Sequence, residues 1–349
     1  MLKIGIIGIG GISAAHINGI SKVPEKAVIT AICDIDTDKL KAVGDKLGIP
    51  EEYRFENYID LINCPEVDAV EICTPNYLHI PMAIDAAKAG KPVEVEKPLS
   101  TDYNGIDNLI DAVKASNVPN MICFSYRFKP AVRYAKDLIS QDKLGKIVNV
   151  NVEYLKSSAL WNGRELEWRF IKEYAGSGVL GDLGVHLIDM TRFLVGDFKS
   201  VCALTSIVVE ERKKQNSSEI GKVETDDVTS FIAKLENDII ANFMITRCAI
   251  GNANTIKYEI YGTNGAILFN LNNPEEITLC INEGDVTKAE LKTIPVPKEY
   301  FVDQEETFID AAMGKKQTHF PDINEGAECQ KIVDAVLESS ETNSIINIK

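Results

Sequence analysis

A chain of 349 residues, 45% hydrophobic and 26% charged, has the profile of an ordinary folded protein and, at roughly 150 residues per domain, the length of about two domains. Its 37 Lys and Arg against 52 Asp and Glu leave a formal charge of −15, which repels polyphosphates and anionic lipids and excludes nucleic acid and membrane as expected partners. The eight cysteines contain no CxxC for a zinc knuckle, and the N-terminus carries neither a spanning run nor a leader, so we expect a cytoplasmic chain with reduced thiols and no metal.

Residues 3–7 (KIGII) read as a strand, glycines at 8, 10 and 11 turn the chain, and Ile12 to Ile20 has the spacing of a helix that buries one face. A second strand, Val28 to Cys33, ends at Asp34 before the helical TDKLKAVGDKL. A third unit runs from Val67 through Thr74 into HIPMAIDAAKAG and Val93 to Val95, and helix DYNGIDNLIDAVKAS and strand MICFSY carry the pattern to about residue 126. Strand and helix alternate with short connections, which predicts α/β architecture with a doubly wound parallel sheet over residues 1–122. From 123 to 349 the texture changes. Helix AVRYAKDLIS is followed by the alternating segments KIVNVNVEYLK, KSVCALTSIVVE, TSFIAKLE, DIIANFMI, TIKYEIYG, AILFNL and EITLCI. They predict an α+β domain with an open, mostly antiparallel sheet. KKQNSSEIGK reads as a mobile surface loop, and two C-terminal helices, EETFIDAAM and NEGAECQKIVDAVLESS, are free to pack back on the first domain.

Gly8, Ile9, Gly10, Gly11, Ile12 and Ser13 form a GxGxxS turn between a strand and a helix, where small residues let backbone N–H groups approach a pyrophosphate at the helix N-terminus. The string gains weight from Asp34 at the end of the second strand, placed to accept from ribose hydroxyls and to repel a 2′-phosphate. NAD is therefore expected over NADP, although FAD uses a similar fingerprint. Thr74, Pro75, Asn76 and His79 follow one strand and Glu96, Lys97 and Pro98 the next, at the carboxyl ends where open α/β sheets bind ligands.

These motifs, with YRF at 126–128, EWRF at 167–170 and AGSGVLGDLGVHLIDM at 175–190, resemble the Gfo/Idh/MocA family of nicotinamide-dependent sugar and inositol dehydrogenases. Through VETDDV and YGTNGAILFN the chain is most like the branch that holds the inositol and levoglucosan dehydrogenases. The resemblance implies a Rossmann domain followed by a substrate domain. It implies that Lys97 hydrogen-bonds the hydroxyl being oxidised, that His186 is the general base, and that Asp182 holds a neighbouring hydroxyl. Thr74 to Asn76, His79, Glu96 and Arg127 would line or support the cofactor, and Tyr126 and Arg169 would lie with the substrate. The Lys97–Pro98 bond is often cis in such relatives. Ser13 in place of a glycine and the Glu of VEV before EKP depart from the family pattern.

Chemistry agrees, because oxidising an alcohol needs a base near neutrality and a cation for the developing alkoxide. Plainer roles stay open beside these. Asp182 suits a helix N-cap, Arg127 and Arg169 could pair with carboxylates, Tyr126 and Trp161 could be packing aromatics, and His16 and His319 read as structural. Oxidation of a ring hydroxyl on a neutral sugar or cyclic polyol is the expected reaction. An NAD-retaining glycosidase or epimerase cycle and a non-catalytic NAD-binding regulator are the alternatives. An apolar sheet face suggests a homodimer or homotetramer.

Overall fold

The computed structural model describes residues 1–282 and 284–348. The chain forms two compact units, Met1–Phe124 with Asp303–Glu328, and Ser125–Val302 with Cys329–Lys349. The first crossing thus falls two residues beyond the expected end at 122, and Asp303–Glu328, expected in the second domain, belongs with the first.

The first unit holds strands β1 (Leu2–Ile7), β2 (Ala27–Cys33), β3 (Arg54–Phe55), β4 (Ala69–Ile72), β5 (Val93–Val95) and β6 (Asn120–Ile122), with helices α1 (Ser13–Ile20), α2 (Thr37–Leu47), α3 (Tyr58–Ile62), α4 (His79–Lys88) and α5 (Ile106–Ser116) between them. The strands pair in parallel in the order β3-β2-β1-β4-β5-β6. Helices on both faces bury them, and Ile4, Ile6, Val70 and Val93 have no exposed surface. The order reverses between β1 and β4, so the crevice beyond their carboxyl ends is the place for a ligand. Helix α2 follows from its own residues, since the Asp36 side chain caps it by accepting from the Lys39 N–H at 3.1 Å and Gly48 closes it at φ +69°. Two boundaries differ from expectation. The helix expected from Asp102 starts only at Ile106, because Gly105 at φ +82° ends the preceding turn, and the strand expected to Tyr126 stops at Ile122 before a 3₁₀ turn over Ser125–Phe128.

The second unit contains α6 (Pro130–Ser140), β7 (Ile147–Leu155), α7 (Lys172–Ala175), α8 (Val185–Leu194), β8 (Phe198–Ser206), β9 (Glu211–Lys213), β10 (Ile220–Lys222), β11 (Val228–Leu235), β12 (Ile240–Thr246), β13 (Thr255–Gly262), β14 (Gly265–Asn270), β15 (Glu276–Ile281) and β16 (Lys292–Pro295). Helix α9 (Gln304–Ala312) and the start of α10 (Ile323–Thr342) belong to the first unit, and the rest of α10 and β17 (Ile346–Asn347) to the second. Its nine-stranded sheet runs β16-β15-β14-β13-β7-β12-β11-β8-β17. All pairs are antiparallel except β7 with β12. Strand β11 shows why the alternation was readable: Phe231, Ala233 and Leu235 are buried while Ser230, Ile232 and Lys234 face outward. The segment read as a mobile loop is instead the β9–β10 hairpin, held down by buried Arg212, which donates to the Ala159 and Arg164 carbonyls. The cysteines are free; five are buried, Cys248 and Cys280 are half-buried, and Cys202 is exposed on the outer sheet face. Among the described residues no helix is long and apolar enough to cross a membrane.

Candidate functional site

The turn after β1 is built for backbone approach. Gly8 sits at φ +87°, and a Cβ there would lie 2.9 Å from the Cys73 carbonyl after β4, so only glycine lets the two strand ends come this close. A Cβ on Gly10 or Gly11 would meet nothing within 4 Å. Open space therefore faces the first turn of α1, whose Ile12 cap position supplies no side-chain acceptor for the leading N–H groups. Ser13 is buried, and its hydroxyl donates to the Gly10 carbonyl at 2.7 Å, so it braces the turn from within. Asp34 fastens the same turn: its Oδ2 accepts from the Ile9 N–H at 2.9 Å and its Oδ1 from the Asp36 N–H at 3.0 Å. Ile12 and Ile35, 41% and 90% exposed, offer apolar surface on either side of Asp34 in sequence. The uncapped start of α1, an open cradle at Gly10 and Gly11, and a carboxylate at the end of β2 fit a dinucleotide.

The ends of β4 and β5 are joined by His79, which has no exposed surface, and whose Nδ1 and Nε2 lie 2.8 and 2.9 Å from the Pro98 and Thr74 carbonyls. His79 thus ties Thr74 and Pro75 to the cis Lys97–Pro98 bond and supports the cradle from beneath. Asn76 is buried and Lys97 half-buried. Glu96 turns inward, with Oε1 3.1 Å from His16 Nε2 and Oε2 accepting the Lys97 N–H at 3.0 Å. Burial would raise its carboxyl, but His16 and Lys97 outweigh burial and hold it below the usual range. Glu96 therefore positions Lys97 rather than lining the open side.

Sequence reasoning missed what lies beneath. Glu71 on β4, Glu94 on β5 and Glu305 on α9 surround His16, all of them buried. Burial, together with the neighbouring carboxylates, pushes Glu94 well up and Glu305 to about 7. The one available signal was a carboxylate inside each of two short strands otherwise made of buried apolar residues.

In the second unit the motif GSGVLGDLGVH folds as a π-helical turn, Leu180–Gly184, running into α8 at Val185. The cap position of α8 is Gly184, with no side-chain cap bond, so Asp182 is not its N-cap. Asp226 clamps the turn: its carboxylate accepts from the Gly178 N–H at 2.5 Å, the Leu180 N–H at 3.0 Å and the Thr229 hydroxyl at 2.6 Å. A Cβ on Gly178 would stand 1.9 Å from the Asp226 carbonyl oxygen, which makes that glycine obligatory. Asp182 and His186, four residues apart, share one side of the turn. The Tyr126 ring meets the His186 ring edge-on at 4.7 Å, and its hydroxyl bonds that of Tyr154 at 2.8 Å, which in turn donates to Asn254. Burial first, then Tyr126 and the Asp182 charge, hold the Tyr154 phenol well above its ordinary value, so the Tyr154 hydroxyl stays neutral, and it gives its proton to Asn254.

The two arginines are placed differently. Arg127, expected at the cofactor, is buried and bonds both carboxylate oxygens of Asp189 on α8 through Nε, at 2.8 and 2.9 Å, with Nη2 2.6 Å from Oδ1. Arg169 lies over the Trp168 ring and 3.5 Å from Glu167, while Trp161 is 71% exposed.

Residues 2–124 match the model of the oxidoreductase family with an NAD-binding Rossmann fold, and residues 132–268 the GFO/IDH/MocA C-terminal domain. Levoglucosan dehydrogenase of Pseudarthrobacter phenanthrenivorans is 29% identical over 99% of this chain and 98% of its own. Glucose-6-phosphate 3-dehydrogenase of Bacillus subtilis is 29% identical over 78% of this chain and 76% of its own. A solved levoglucosan dehydrogenase in complex with NADH and levoglucosan superposes with a TM-score of 0.90 at 30% identity, covering 99% of both chains.

Proposed function

The chain belongs to the Gfo/Idh/MocA oxidoreductase family, as an NAD-dependent dehydrogenase of sugar or polyol hydroxyls, and from that premise we propose that it oxidises one ring hydroxyl of a neutral hexose, anhydrosugar or inositol. The π-turn that sets Asp182 and His186 on one side beside the Tyr126–Tyr154 hydroxyls carries this reading, because it offers a base and acceptor oxygens to a polyhydroxylated ring. Bound NAD would be held by the Gly8–Ser13 backbone and Asp34, and would supply the hydride acceptor at nicotinamide C4. Lys97, fixed through its backbone N–H by Glu96, donates from its ammonium to the reacting hydroxyl and stabilises the developing alkoxide. The His186 imidazole takes the hydroxyl proton as hydride leaves the same carbon, and Asp182 accepts from a neighbouring hydroxyl. Asp189 neutralises Arg127, which supports a neutral substrate over a sugar phosphate. The test is NADH formation across levoglucosan, glucose, inositols and glucose 6-phosphate: turnover with a neutral compound is expected, and turnover with glucose 6-phosphate alone refutes the neutral assignment.

The eight free thiols support a cytoplasmic location. Leu204, Ile232 and Met244, 69%, 55% and 38% exposed on neighbouring strands β8, β11 and β12, support a homodimer or homotetramer through that sheet face. Light scattering of the eluted protein checks it, and a monomer at micromolar concentration overturns it.

A further inference from the structure

The buried cluster of the first unit has the form of a metal site. His16 is 2% exposed, and its Nδ1 lies 3.2 Å from Glu71 Oε2 and 3.1 Å from Glu305 Oε1 without a hydrogen bond to either. One donor atom each from His16, Glu71, Glu94 and Glu305 falls within 4.8 Å of the others. Ligands about 2.1 Å from one ion stand about 3.0–3.4 Å apart, which is the spacing of the imidazole from its two nearest carboxylates.

Three further observations point to a cation between these groups. Glu71 has no exposed surface and neither of its oxygens has a hydrogen-bond partner, and Glu94 Oε2 and Glu305 Oε2 are equally bare. Without an ion these oxygens can be served only by protons shared among His16 Nδ1 and the carboxyls themselves, and any carboxylate left without one carries the cost of burial unpaired. The other ring nitrogen, Nε2, faces Glu96 at 3.1 Å, and a metal-bound histidine ordinarily donates its second N–H to a carboxylate in this way. Finally, the fold makes room for the third carboxylate: a Cβ on Gly19 of α1 would lie 2.1 Å from the Glu305 Cγ, so glycine there admits Glu305 to the cluster.

We propose that His16, Glu71, Glu94 and Glu305 bind one divalent d-block cation, of the Mn²⁺ or Zn²⁺ kind, beneath the turn that carries Lys97. One imidazole with carboxylates favours such ions over Mg²⁺ or Ca²⁺. The ion orients His16, which holds Glu96, whose second oxygen holds the Lys97 N–H, so its role is structural and positioning. This assignment does not depend on which substrate is oxidised.

Elemental analysis of the purified full-length chain, followed by thermal unfolding of chelator-treated protein with MnCl₂, ZnCl₂ or MgCl₂, tests it. We expect about one equivalent of metal per chain, or its uptake by stripped protein, and a rise in Tm of at least about 5 °C with Mn²⁺ or Zn²⁺ in hundredfold excess over Kd but not with Mg²⁺. Glu71→Gln should lose both metal and shift while its circular dichroism and NADH binding persist. Metal-free protein with no Tm response to Mn²⁺ or Zn²⁺ overturns the proposal in favour of shared protons. Full metal retention in Glu71→Gln overturns it too, because the ion then lies elsewhere; an unfolded Glu71→Gln leaves the wild-type arms to decide.

Discussion

Replacing Asp226 with alanine tests whether the π-turn is held in place by one carboxylate. The side chain is 6% exposed and accepts from two backbone N–H groups, of Gly178 and Leu180, and from the Thr229 hydroxyl. The hydroxyl can rotate toward another acceptor, but the two amides cannot. Leaving each buried and unsatisfied costs about 1–3 kcal/mol, so Asp226→Ala should lose about 2–6 kcal/mol, a large part of a total stability of about 5–15 kcal/mol. The released turn carries Asp182 and His186, and a displacement of about 1 Å at reacting groups is worth about a hundredfold in rate. Urea unfolding followed by circular dichroism, with steady-state NADH formation on the folded fraction, measures both effects. NAD binding, which rests on the first unit, should be spared. Thr229→Val, which removes one donor and leaves the two amide bonds intact, is the control and should cost far less. If Asp226→Ala unfolds within about 1 kcal/mol of wild type and keeps kcat within about threefold, the clamp is not what holds the turn.

Arg127→Met leaves Asp189 as a buried charge without its guanidinium and should cost about 3–5 kcal/mol, while the double change Arg127→Met with Asp189→Leu recovers much of that. A raised KM for NAD with unchanged stability would instead return Arg127 to the cofactor. Asp34→Ala loosens the Gly8–Ser13 turn and removes the charge that opposes a 2′-phosphate, so the preference for NAD over NADP in kcat/KM should fall by about tenfold or more, and an unchanged ratio refutes the role. Burial would raise the Asp310 carboxyl, but Lys315 and Lys26 outweigh it and hold it below its usual value. A depressed folded pKa gives stability that is present above the unfolded value of about 3.9 and lost as pH falls through the folded one. Asp310→Asn should flatten the decline of Tm below about pH 4, and an equally steep decline in both proteins counts against that linkage.

Local periodicity carried most of the fold. The continuous apolar runs of β1 and β4 and the strict alternation of β11 are properties of neighbouring residues, and a sequence displays them directly. Edge pieces such as β17, two residues long, exist only because β8 offers them a partner, so no local pattern announces them. The site divides in the same way. Gly8, Asp34, Lys97, Asp182 and His186 stand out because a turn, a strand end or a spacing exposes them. The His16 cluster does not, since Glu71, Glu94 and Glu305 lie 55, 78 and 289 residues from His16, and Glu305 reads alone as an ordinary acidic residue in the first turn of a helix. Asp226 stood out as part of VETDDV, but its role did not: only the folded chain brings its carboxylate to Gly178, 48 residues away. Arg127, a motif residue expected at the cofactor, meets the same limit, since only the folded chain pairs it with Asp189 within its own unit.

The central claim is that Lys97 and His186 handle the proton while a ring hydroxyl gives its hydride to NAD. Steady-state NADH formation by wild type, His186→Ala and Lys97→Met on the best neutral substrate measures it directly. The account predicts loss of at least about a hundredfold in kcat/KM for each variant, with fold and NAD binding retained. Full turnover in both variants would contradict it.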